Sequence, residues 1–189
     1  MQDSIYKTFD KADVYDIERD ATTFAGALPV VAHPPCRAWG RLRKFANPAP
    51  GERELAFFAL EQVRNNGGVL EHPESSKLWE ECNLPFGEQI DDWGGWTLKV
   101  DQFWWGHKAR KRTWLYICGI HPRDVTYPIR FDACEHTVCS STRVNRKNSI
   151  RRKEISKKAR MSTPIAFAIW LMDIAIRARK IPARQLEIL

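Results

Sequence analysis

The residues of this sequence best suited to chemistry are Cys36 and Glu71, because each follows a short apolar run that ends at proline. Val30-Val31-Ala32 leads through His33-Pro34-Pro35 to Cys36, and Gly68-Val69-Leu70 leads to Glu71-His72-Pro73. A run of that length between turn residues reads as a buried strand. In open α/β sheets ligands bind beyond the carboxyl ends of the strands, so a thiol and a carboxyl delivered there are well placed to act. A thiolate is a nucleophile, and a carboxyl beside it supplies acid–base or hydrogen-bonding power. The competing readings are a small buried cysteine and a surface acid at a strand end.

The elements needed to bring these two residues together are present. Glu52 to Asn66 carries apolar residues at a helical period and stops at Asn65-Asn66-Gly67-Gly68. Strand, helix and strand in that order predict a crossover with two parallel neighbours, presenting Cys36 and Glu71 on one edge of the sheet. Elsewhere, residues 12–17 alternate as one short strand, and residues 75–82 read as a short helix capped by Ser75-Ser76 with Leu78 and Trp79 inward. Residues 96–105 and 112–120 form an expected antiparallel pair flanking 106–111. Residues 164–179 form an amphipathic helix with Ile165, Ala168, Ile169, Leu171, Met172 and Ala175 inward, capped by Ser162-Thr163 with Pro164 in its first turn. The expectation is one α/β domain: an N-terminal extension over 1–28, a core over 29–120, a basic irregular segment over 121–160 and a C-terminal helix over 161–180.

Composition narrows the class. With 189 residues, 43% hydrophobic and 11% aromatic, the chain can bury a core. No run has the length of a membrane span, and Met1 to Lys7 lacks the apolar stretch of a signal peptide, so a cytoplasmic protein is expected. Five scattered cysteines argue for reduced thiols rather than a disulfide framework. Cys134, His136 and Cys139 fall short of a structural zinc set unless Cys118 and His121 join them, and no metal is expected. The net charge of +7 concentrates in a block containing Arg143, Arg146, Lys147, Arg151, Arg152 and Lys153. Such a block is the signature of a polyanion partner, most often nucleic acid, or else a solvated basic loop. Phe103-Trp104-Trp105 reads as core packing, although aromatics beside basic residues also stack bases.

Val31 through Gly40, with Pro34-Pro35-Cys36-Arg37 at its centre, resembles the Pro-Cys motif of DNA (cytosine-5)-methyltransferases. Val69-Leu70-Glu71-His72-Pro73 is similar to their Glu-Asn-Val motif, residues 106–117 to their Gln-x-Arg-x-Arg strand, and Thr163 to Ala168 to the start of their last motif. The order matches, over roughly 29–120 and 161–176. His72 stands where the family has Asn, and Lys108 or Ala109 where it has Gln. The resemblance implies an abbreviated, Rossmann-like methyltransferase sheet of mixed strands in a small, phage-type member, working in a bacterial or phage-infected cell. It implies that Cys36 attacks carbon 6 of an extruded pyrimidine, that Glu71 hydrogen-bonds or protonates ring nitrogen 3, and that Arg112, or Arg110 in its stead, holds the ring carbonyl. His33, Pro35, Arg37, His72, Gln102 and His107 would line the substrate pocket, with Arg37, His33 or the positive end of a following helix lowering the Cys36 pKa. Lys111 and the basic block would hold DNA. S-adenosylmethionine is the family's donor, but only Phe24-Ala25-Gly26-Ala27 is similar to its Gly-rich loop, without room for the elements that follow it. Three functions are therefore expected to compete: exchange or removal of a carbon 5 substituent, methylation with a donor site completed by a partner subunit or second copy, and DNA binding by an inactive relative.

Overall fold

Val30 and Val31 are β-branched and Pro29 and Pro34 bound the run, so the chain extends there as β1 (Val30–Ala32). The computed structural model describes residues 4–138 and 153–178. After β1 the chain turns and enters α1 (Glu54–Asn66), which buries Ala56, Leu60 and Val63 and ends at Gly67, whose φ of 78° no side chain would favour. It returns as β2 (Gly68–Pro73), parallel to β1 with Val31 opposite Val69 and Ala32 opposite Leu70. The expected strand–helix–strand unit is therefore present.

A short α2 (Lys77–Glu81) follows, capped by Ser76, with Leu78 and Trp79 buried. Then β3 (Trp96–Asp101) and β5 (Arg112–Cys118) pair antiparallel, as the two aromatic and β-branched runs predict. β5 also pairs antiparallel with β2, giving one mixed sheet of order β1-β2-β5-β3. Outside it, β4 (Ala109–Arg110), β6 (His136–Thr137) and β7 (Lys153–Glu154) form a small parallel sheet. The chain ends its described course as α3 (Lys157–Met161) and α4 (Ile165–Arg177).

Side chains opposite each other across a ladder share a face. Ala32, Leu70, Tyr116 and Cys118 face α1 and α2 and pack with Leu60, Val63, Trp39 and Trp79. Val69, Leu115, Ile117 and Val100 face α4 and pack with Phe167, Leu171 and Ile174. Each fully buried side chain of this size contributes about 1.5–3 kcal/mol before the entropy of ordering it. Helices thus cover both faces of the sheet, a mixed α/β architecture.

Several local expectations are corrected. Residues 12–17 form no strand: the Asp16 carboxylate accepts the Glu18 N–H at 2.9 Å and the Asp16 N–H reaches the Arg19 carbonyl at 2.9 Å, so the segment closes on itself. β3 stops at Asp101, whose carboxylate accepts the N–H groups of Phe103 at 3.0 Å and Lys111 at 2.9 Å, and Gln102–Trp105 coils as a 3-10 turn. Ser162 does not cap α4, because its hydroxyl donates to the Ala159 carbonyl at 2.8 Å and closes α3, and Pro164 immediately precedes α4. Ile165 and Ile169 lie exposed rather than inward. The stretch Lys157–Arg177 has the average hydropathy of a membrane span. It is nevertheless interrupted at 162–164, and the 13 residues of α4 rise only about 20 Å against a hydrocarbon layer of about 30 Å.

Candidate functional site

Two residues beyond the Val31–Val69 pair, His33 and Glu71 emerge on the same face, and His33 Nδ1 lies 2.9 Å from Glu71 Oε2. The other ring nitrogen, Nε2, lies 2.8 Å from the hydroxyl of Tyr6, carried by the 3-10 turn Ile5–Thr8. On its second oxygen, Glu71 accepts from Gln102 Nε2 at 3.2 Å. That amide also donates to Thr113 Oγ1 at 3.1 Å, and the Thr113 hydroxyl in turn donates to the Lys111 carbonyl at 3.1 Å. The chain of donors fixes the Gln102 amide in one orientation and leaves its Oε1 buried without a partner. Burial alone would raise the Glu71 pKa, but the hydrogen bond from His33 and the positive electrostatic surroundings, the Lys111 ammonium among them, outweigh it and hold the carboxyl at about 2. Glu71 is therefore a carboxylate at neutral pH.

Cys36 follows the Pro34-Pro35 turn and is exposed. Partial desolvation and the negative charge of Glu71 push its thiol up, and its own backbone hydrogen bond and the Lys111 ammonium offset this only in part. The expected lowering by Arg37 does not occur. The Arg37 guanidinium forms a paired contact with the buried carboxylate of Glu52, its Nε donating at 2.8 Å, and Glu52 also accepts the Ala49 N–H at 3.1 Å. Arg37 thus anchors the turn that carries Cys36. No regular helix begins behind Cys36 either, since residues 37–40 form a tight turn in which the N–H groups of Trp39 and Gly40 both reach the Cys36 carbonyl.

The cation at this site is Lys111. It sits one residue before β5 and shares the parity of Thr113 and Leu115, hence the face of Glu71, and its ammonium donates to the Ser162 carbonyl at 3.1 Å. Arg112 has the opposite parity. It points to the face of Trp114, is largely exposed and pairs with Glu74 at 3.6 Å, so it does not hold a group bound beside Glu71. Arg110 reaches the Asp101 carboxylate at 3.5 Å and the Asp132 carbonyl at 3.1 Å. With Trp104, Trp114 and Lys99, the two arginines line a separate concavity of about 500 Å³.

Two expected pocket histidines are structural. His72 is buried on the face opposite Glu71, and its Nε2–H donates to the Pro34 carbonyl at 3.2 Å. Its Nδ1 then accepts the Ser76 hydroxyl at 2.8 Å, while Ser76 Oγ caps α2 by accepting the Leu78 N–H at 3.3 Å. Burial holds His72 neutral, its pKa lowered to about 4. It clamps the prolyl turn onto β2, and His72→Leu is expected to destabilise the protein by about 2 kcal/mol, read from urea unfolding, by stranding the Pro34 carbonyl and the Ser76 hydroxyl. His107 is likewise buried, with Nε2 3.2 Å from the Ala159 carbonyl and Nδ1 2.7 Å from the Ala109 carbonyl, tying β4 to α3. Pro35 remains in the turn before Cys36, and Lys153 is exposed on β7.

Arg143, Arg146, Lys147, Arg151 and Arg152 lie outside the described residues, as does Cys139. Among the described residues no group of three or more His, Cys, Asp or Glu side chains is arranged to hold a metal. The donor loop does not fit S-adenosylmethionine. Residues 24–28 neither follow a strand nor open a helix, and a Cβ on Gly26 would meet the Phe24 ring at 2.8 Å, so this glycine accommodates its own neighbour rather than a ligand. Tyr6 carries no motif or period that marks it in the sequence, and Thr113, although it lies in the 106–117 stretch, is marked there only as a strand residue. Compared with family models, curated proteins and solved structures, the chain gives no match.

Proposed function

We propose that this chain modifies nucleic acid at carbon 5 of a pyrimidine, by covalent addition of Cys36 to carbon 6 of a base held beside Glu71, as its resemblance to the catalytic half of DNA (cytosine-5)-methyltransferases implies. The observation that carries the reading is an exposed thiol in the turn past the carboxyl end of β1 and an ionised, doubly hydrogen-bonded carboxylate in the last half of the adjacent parallel β2, each within electrostatic reach of the other and of Lys111. The excess of basic residues suits a DNA partner. On this reading the sheet is an abbreviated methyltransferase-type sheet, and the base enters extruded from its stack.

The chemistry balances without a donor. Cys36 loses its proton to solvent, its sulfur bonds to carbon 6, and the electron pair of the 5,6 double bond moves through the ring as nitrogen 3 takes up a proton from the side of Glu71. Carbon 5 is now nucleophilic and accepts a proton from water. Loss of the hydrogen or other removable group originally at carbon 5, return of the nitrogen 3 proton and expulsion of the thiolate restore the ring. The net result is exchange at carbon 5.

DNA incubated with the protein in heavy water tests this. Mass spectrometry of the released nucleosides is expected to show deuterium on carbon 5 of cytosine, and Cys36→Ser is expected to abolish it. An unlabelled product from the parent protein on single-stranded and duplex DNA alike, with salt-dependent binding intact, would leave a DNA-binding protein without this activity.

A further inference from the structure

We infer that Tyr6 and His33 form a proton line into Glu71, with His33 storing the proton that the carboxylate passes to the substrate ring and Tyr6 setting the tautomer of His33. The inference rests on the proposed pyrimidine chemistry and adds to it the source of the nitrogen 3 proton.

The need for such a source follows from Glu71 itself. A carboxylate that is ionised in the resting protein has no proton of its own to give. Gln102, on its other oxygen, offers amide hydrogens that do not transfer. The ammonium of Lys111 is engaged by the Ser162 carbonyl, and His72 lies on the opposite face with both nitrogens occupied. The Cys36 thiol is the nucleophile. Of the side chains hydrogen-bonded to Glu71 among the described residues, His33 alone can gain and release a proton.

Tyr6 orients it. Ionised Glu71 can only accept, which requires the hydrogen on Nδ1, and the phenol, kept protonated by burial and by the Glu71 charge, completes the arrangement by donating to Nε2 of the neutral ring at 2.8 Å. That leaves the proton on Nδ1, aimed at Glu71 Oε2 at 2.9 Å. When Nε2 takes up a proton from solvent and the Tyr6 hydroxyl turns to accept from it, the imidazolium passes its Nδ1 proton to Glu71 Oε2, and the carboxyl so formed yields that proton to nitrogen 3 of the ring. The reverse transfer accompanies elimination and returns the proton to His33, so none is consumed over the cycle. The turn bearing Tyr6 is itself pinned by Lys7, whose ammonium lies 2.8 Å from both Asp16 and Glu18.

The test is single-turnover deuterium exchange at carbon 5, paired with nitrogen-15 NMR of the His33 ring in the full chain. His33→Gln is expected to slow exchange about 100-fold or more, and added imidazole is expected to restore part of the rate to His33→Ala. Tyr6→Phe is expected to slow exchange about tenfold and to turn a single Nδ1–H tautomer into a mixture. Parent rates in both variants, with exchange active in the parent protein, would overturn the proton line and leave the proposed function standing. An inactive parent protein would overturn the proposed function. In that case, or if a variant fails to fold, an Nε2–H tautomer in the parent protein would overturn the orientation assigned to Tyr6, and an Nδ1–H tautomer would uphold it.

Discussion

Glu71→Gln is expected to lower the rate of carbon 5 exchange by about 10²–10⁴-fold and to remove a distinct acid limb from the stability profile. An amide at this position cannot satisfy both partners: its oxygen can accept from either His33 Nδ1–H or Gln102 Nε2–H, and its own N–H then opposes the other donor. The pH dependence follows from the carboxylate's pKa of about 2 in the folded protein against an ordinary value of 4.5. Because the folded value is the lower one, the stabilisation is fully present above pH 4.5 and is lost as the pH falls toward 2, on the order of 3 kcal/mol in all. His72 adds an earlier stage. Its folded value of about 4 against 6.5 favours the neutral ring, so its contribution is present above pH 6.5 and is lost as the pH falls toward 4. Urea unfolding across pH 2–7 should show both stages in the parent protein, and in Glu71→Gln the His72 stage should remain while the loss between pH 4.5 and 2 shrinks by the Glu71 share. Parallel curves below pH 4.5 would mean that Glu71 is not held as a carboxylate.

What could be read in advance was what the chain encodes locally. β1 and β2 are β-branched or apolar runs closed by proline, and α1 has a helical period closed by Asn66 and Gly67, so the unit that delivers Cys36 and Glu71 is legible without its neighbours. The position of β5 between β2 and β3 is not, because strand order depends on pairings between residues far apart in sequence. The cation of the site illustrates the consequence. A motif resemblance points to Arg112, but a shift of one residue reverses the face, and the pairing of Glu71 with Leu115 puts Lys111 on the side of Glu71 and Arg112 on the other. His72 shows the same effect: adjacent to Glu71 in sequence, it lies across the sheet from it. Tyr6 belongs to a polar segment without period, and only the tertiary fold brings it to His33.

Gly68→Ala is expected to be strongly damaging. Gly68 has φ of +119°, a conformation that residues with a side chain rarely adopt, and a Cβ there would stand 2.0 Å from the Val30 carbonyl oxygen and 2.6 Å from its nitrogen. Both atoms are backbone, so no side-chain rotation relieves the clash. Either β2 distorts or β1 moves away, and β1 is an edge strand with β2 as its sole partner in the sheet. The expected cost is on the order of 4 kcal/mol, a fall in Tm of about 10 °C. Gly67→Ala provides the comparison: it meets the penalty of a positive φ of 78° at the end of α1, a loss of about 1 kcal/mol. Because β1 carries the turn to Cys36, any Gly68→Ala protein that folds should also lose the His33–Glu71 hydrogen bond, and with it the acid limb between pH 4.5 and 2. A Gly68→Ala protein that melts with the parent and keeps that limb would show that β1 and β2 do not approach each other as closely as described, and the convergence of Cys36 with Glu71 would fall with that approach.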